Sequence, residues 1–117
     1  MEDKNDYYFL EQALREIEAI ILYTKGLKYE EFINDIKTID ATMFRLQQMI
    51  EKIKHLSIDY REKHKEIPWG QIFGFRNGIV HEYGKVNYQT VYEIISTDIY
   101  NLKEIFISSL VGKKECT

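Results

Sequence analysis

An all-α fold, an up-and-down helical bundle of four to five helices, is what this sequence predicts. Three observations carry that expectation. Apolar residues recur at spacings of three and four along most of the chain, and no stretch alternates apolar and polar residues as a half-buried strand would. Residues suited to capping helices stand at the ends of these runs. The one proline falls between two runs rather than inside one.

Taken in order, Leu10, Leu14, Ile17, Ile21 and Thr24 predict a first helix, with Gly26 as its C-terminal cap. Phe32, Ile36, Ile39, Met43, Leu46, Ile50 and Ile53 then form a heptad-like seam. That seam fits one long helix, or two joined near Thr38–Asp40. Ser57 offers its hydroxyl as the N-cap of a shorter helix reaching about Lys65. Pro68 fits the first turn of the next helix, where its missing N–H costs nothing. This helix would carry Trp69, Ile72, Phe73, Ile79 and Val80 and end near Tyr83-Gly84. Asn87 reads as the N-cap of a last helix that turns Val91, Ile95, Leu102 and Phe106 toward the core. Tyr7, Tyr8, Tyr23, Tyr29, Tyr60, Tyr88, Tyr92 and Tyr100 read as amphipathic packing at helix edges. Trp69 reads as core or dimer interface.

The 117 residues are expected to form a single domain, residues 1–117, with its core at about 7–110 and a short C-terminal tail. With 44% apolar and 30% charged residues, the composition is that of a soluble globular protein. No apolar run approaches the roughly 18 residues of a membrane span, so no membrane association is expected. The acidic start Met1-Glu2-Asp3-Lys4-Asn5-Asp6 lacks the basic-then-apolar pattern of a signal peptide, and Cys116 stands alone. A cytoplasmic location is the resulting expectation. The net charge of −3 argues against a generally sticky nucleic-acid binder but leaves room for a local basic site. Lys52, Lys54, Arg61, Lys63 and Lys65 gather with His55 and His64, but Glu51, Asp59 and Glu62 dilute them, so they read as a solvated helix face.

Chemistry is concentrated in Phe75-Arg76-Asn77-Gly78-Ile79-Val80-His81-Glu82-Tyr83-Gly84. A guanidinium holds its charge at any physiological pH and presents a planar fork of donors, whereas an imidazole titrates near neutrality. RNA can be cut without metal when its own 2′-OH attacks the adjacent phosphorus. That reaction needs a base, an acid, and positive charge on the crowded phosphate. Arg76 suits the charge, His81 the proton transfers, and Asn77 the orientation of the imidazole or of a phosphate oxygen.

Spacing constrains how these groups cooperate. At about 100° per residue, Arg76 and Tyr83 fall within roughly 20° of each other, and Asn77 and His81 within roughly 40°. Arg76 and His81 are about 140° apart, too far for one straight helix to aim both at one phosphate. Two such helices meeting across a twofold axis would combine groups from both chains, so a homodimer with a composite site is expected.

Arg76-x4-His81-x-Tyr83 is similar to the Arg-x(4–6)-His motif of the HEPN superfamily, in the form found in HepT toxins. Ile67-Pro68-Trp69-Gly70-Gln71-Ile72 resembles that family's start of the motif helix. Val86-Asn87-Tyr88 and Val91-Tyr92-Glu93-Ile94-Ile95 resemble the opening of its last helix. The likeness spans roughly residues 7–110. One departure is Ile50-Glu51, where HepT-like chains carry Gly-Glu. The resemblance implies a metal-independent endoribonuclease that leaves 2′,3′-cyclic phosphate ends, needs no cofactor, and acts as a toxin. It also implies a nucleotidyltransferase antitoxin as partner, which adds AMP to Tyr83. Added phosphodiesters would set negative charge and bulk beside Arg76.

Blander roles exist for the same residues: His81 as a helix cap, Arg76 in an ion pair with Glu82, Tyr83 in packing. Metal chemistry is poorly supported. His81-Glu82 begins a zinc-helix pattern, but position 85 is Lys, and no Glu-x-x-His pair exists for a di-iron bundle. The main alternative function is a non-catalytic substrate-binding or scaffolding subunit of a nucleotidyltransferase. A plain oligomerisation bundle is a third reading.

Overall fold

The computed structural model describes residues 4–81 and 87–115, with side chains described for 5–75 and 87–112. Every regular element among them is helical: α1 (Lys4–Thr24), α2 (Tyr29–Ile33), α3 (Ile36–Ile53), α4 (Ile58–Lys63), α5 (Trp69–His81), α6 (Tyr88–Glu93) and α7 (Ile99–Glu115). A π-helical turn, Ile94–Asp98, joins α6 to α7. The all-α expectation is met. No described helix is long and apolar enough to cross a membrane.

Local chemistry sets most of the boundaries. After α1 the chain turns through Gly26 at φ +80°, a left-handed conformation that an L side chain resists. Ser57 Oγ accepts from Tyr60 N at the start of α4, and Asn87 Oδ1 accepts from Gln89 N and Thr90 N at the start of α6. Pro68 stands immediately before α5, and its carbonyl accepts from Ile72 N at 3.1 Å.

The seam expected from Phe32 to Ile53 breaks at Asn34–Asp35, four residues before the point the pattern suggested. Asp35 caps α3 by accepting from Thr38 N at 3.1 Å and Thr38 Oγ1 at 2.8 Å. Those bonds hold the Asp35 carboxyl below its ordinary range, the Thr38 hydroxyl first and its amide second. The break rotates Ile36 out of the seam, and it is 73% exposed.

α1 lies along α3, and α7 closes over α1. Leu10, Ala13, Ile17 and Ile20 interdigitate with Met43, Leu46, Ile50 and Ile53, and Val91, Ile95, Ile99, Leu102 and Phe106 complete the core. Ile50, where the family pattern has glycine, is a buried member of this core. Tyr60 corrects the helix-edge expectation: it is fully buried, with its hydroxyl 2.8 Å from Ser109 Oγ. Tyr92 donates to the Leu27 carbonyl at 2.7 Å, which pins α6 against the loop after α1. On the surface, Glu16 and then Tyr23 hydrogen-bond Arg45 and favour its charged form.

Candidate active site

Arg76, Asn77 and His81 fall on the last two turns of α5, so what fixes this helix fixes the candidate site. Its N-terminal half is seated on α4. The Trp69 indole N–H reaches the His64 carbonyl at 3.1 Å and the Arg61 carbonyl at 3.3 Å. Those carbonyls stand at the C-terminal end of α4, where they also accept from His64 N and Ile67 N, so the indole ties α5 directly to that end. Trp69 also meets the buried Tyr60 ring edge-on, with centroids 6.3 Å apart. Trp69 is half-buried and packs against the core of its own chain.

Arg61 adds a second clamp. Its guanidinium lies 4.9 Å from the centroid of the Phe73 ring on α5, a cation–π distance. One terminal nitrogen donates to the Lys54 carbonyl at 2.6 Å, while the Nε atom is buried without a hydrogen bond. Arg61 is therefore not part of a solvated basic face. Lys54 pairs with Glu51 at 2.6 Å, and His55 stacks on Phe9. Packing and pairing thus occupy much of the basic cluster noted in the sequence.

α4 is in turn tied to α1 and α7. Asp6, 1% exposed, accepts from Ser57 N at 2.8 Å and from Ser57 Oγ at 2.7 Å. Tyr60 reaches Ser109 on α7. The chain Asp6–Ser57–Tyr60–Ser109 so links α1, α4 and α7 beneath the helix that presents the motif. Sequence reading missed Asp6 and Arg61. Asp6 meets a residue 51 positions away, and no local pattern signals such a contact.

Helical register arranges the rest. Arg76 is seven residues after Trp69 and four after Ile72, and so falls within about 40° of both, on the half-buried side of α5. Asn77 and His81 instead follow the line of Gly70 and Gly74, all within about 60° of one another. Both glycines are exposed, and a Cβ built on either meets nothing within 4 Å. The expected arrangement of the Arg76, Asn77 and His81 side chains lies outside the described residues, as does Tyr83.

A helical bundle that carries Arg-x4-His on the last turns of one helix has the form of a HEPN-type protein. Comparison with known families makes this specific: residues 10–108 match the family model described as "Ribonuclease HepT-like". The chain belongs to the HepT-like ribonuclease family, and the expectation of a ribonuclease is met. A Methanocaldococcus jannaschii protein named "Putative RNase" is 37% identical over 92% of this chain and 91% of its own length. One of the same name from Caldanaerobacter subterraneus subsp. tengcongensis is 36% identical over 82% and 86%. "Probable ribonuclease HepT" of Thermococcus cleftensis is 31% identical over 84% and 89%. No solved structure matches the chain.

Proposed function

We propose that this chain is the toxin of a two-component pair, a metal-independent endoribonuclease whose active site is shared between two copies. Arg76 binds the scissile phosphate and stabilises the charge that develops on its oxygens as the 2′-OH attacks. His81 transfers the protons, and Asn77 orients the imidazole or a phosphate oxygen. The 2′-oxygen displaces the 5′-oxygen, so the products end in 2′,3′-cyclic phosphate and 5′-hydroxyl. A partner nucleotidyltransferase silences the site by adding AMP to Tyr83, which places phosphate charge next to Arg76.

The register of α5 is the observation that carries this reading. Arg76 and His81 occupy sides of the helix about 140° apart, which disfavours a site built from one copy. The line that bears His81 also bears exposed Gly70 and Gly74, with open space where side chains would stand. Small residues at that spacing let two helix backbones approach closely, which favours packing of two α5 helices across the line that bears His81.

The test is cleavage of total RNA and of tRNA by the purified chain in excess EDTA, with Arg76→Ala and His81→Ala alongside. Cleavage to cyclic-phosphate ends that both variants lose is the expected result. Unchanged cleavage by either variant removes that residue from the chemistry. No cleavage by a dimer whose mass excludes AMP on Tyr83 overturns the nuclease reading.

A further inference from the structure

A groove of about 650 Å³ opens between α3, α5 and the α6–α7 helix, away from the glycine line of α5. Half-buried Ile72, Phe75, Ile94 and Ile105 give it apolar walls. Its described lining residues include Glu66, Glu93 and Asp98, all exposed, and neither Lys nor Arg. Among the described lining residues the charged groups are thus all acidic. Glu66 approaches His64 Nδ1 at 3.4 Å. Glu93 and Asp98 have no ion-pair partner among the described residues.

The π-helical turn accounts for the acidic rim. Residues five apart stand about 140° from each other around an α-helix, but a π turn bonds i to i+5 and brings them to the same side. Glu93 and Asp98 flank and close the turn Ile94–Asp98, and both line the groove. A regular helix here would turn one of them away. The turn also sets Ile94 between them as part of the apolar wall.

We propose that this groove is a docking site for a basic amphipathic segment of another protein. The apolar walls take the aliphatic side chains of the segment, and Glu93 and Asp98 meet its lysines or arginines. The volume is in the range of sites that enclose a ligand, with room for several aliphatic side chains. RNA is disfavoured as occupant because its phosphates would face the carboxylates. Docking in this groove does not depend on whether the chain cleaves RNA.

The test uses two fluorescein-labelled 16-residue peptides with the same leucine stripe, one filled with lysine and one with glutamate. Anisotropy is read with the full-length chain, with the double variant Glu93→Lys/Asp98→Lys, and with Glu11→Lys/Glu18→Lys. The last makes the same charge change on exposed positions of α1. The lysine peptide is expected to bind saturably and to weaken as salt rises. Its affinity should fall about tenfold or more with the groove variant and stay within about twofold with the α1 variant. Ile94→Ser, which leaves the charges in place, should weaken it as well. Circular dichroism shows that each variant is folded. Equal binding of both peptides, no binding of either, or equal losses in the two charge variants overturns the proposal. So does conversion of a dimer to monomer by the groove variant alone, because a second copy would then be the occupant.

Discussion

Asp6→Ala should be among the most damaging polar substitutions in this chain, and a double-mutant cycle with Ser57→Ala gives its mechanism. Asp6 is buried on α1 and accepts two bonds, at 2.8 and 2.7 Å, from the residue that caps α4. Two charge-assisted bonds at about 1.5–3 kcal/mol each amount to roughly 3–6 kcal/mol for this pair of contacts. Ser57 is only half-buried, so water recovers part of that, and a net loss of about 2–3 kcal/mol is expected. Ser57→Ala removes the cap, worth about 1 kcal/mol, together with the Oγ bond to Asp6, for a similar total. Both singles delete the same Oγ–Oδ2 contact, so the double variant should fall short of their sum by about 1–2 kcal/mol. Urea unfolding followed by far-ultraviolet circular dichroism measures all four corners of the cycle. If the two losses add within about 0.5 kcal/mol, the side chains do not act as one unit and the proposed support of α4 from α1 is wrong.

Two further outcomes rest on single residues. Gly26→Ala should destabilise the fold by about 1 kcal/mol in the same unfolding assay, because φ +80° is costly for alanine while the space around the site is open. The carboxyl of Asp35 is held below its ordinary value by Thr38, so its folded form binds a proton less readily than its unfolded form. Its contribution to stability is then fully present above the unfolded pKa of about 3.9 and is lost as pH falls through the lower folded value. Asp35→Asn should flatten this acid limb of the stability profile; an unchanged limb would remove the cap as its source.

What could be read from sequence was local. Gly26, Ser57 and Asn87 mark helix ends because capping needs one suitable side chain or one left-handed glycine within a few residues. The break at Asn34–Asp35 was misplaced because the three-and-four spacing runs unbroken through it, and only the Asp35–Thr38 cap reveals the discontinuity. Ile36 looked like core for the same reason. Tyr60 looked like an edge residue, since its hydroxyl partner is 49 positions away. The π-helical turn left no mark in the periodicity. Of the site, the motif itself was legible from residue types. Its seating on α4 through Arg61 and Trp69 was not, because both contacts are tertiary.

The claim that two chains share one active site is tested most directly by mixing two inactive variants. Purified Arg76→Ala and His81→Ala proteins are unfolded together, refolded at equal concentration and assayed on RNA in EDTA. Random pairing makes about half the dimers mixed, and each mixed dimer holds one complete site out of two, so roughly a quarter of wild-type activity should return. A mixture no more active than its separately refolded components would contradict the shared site.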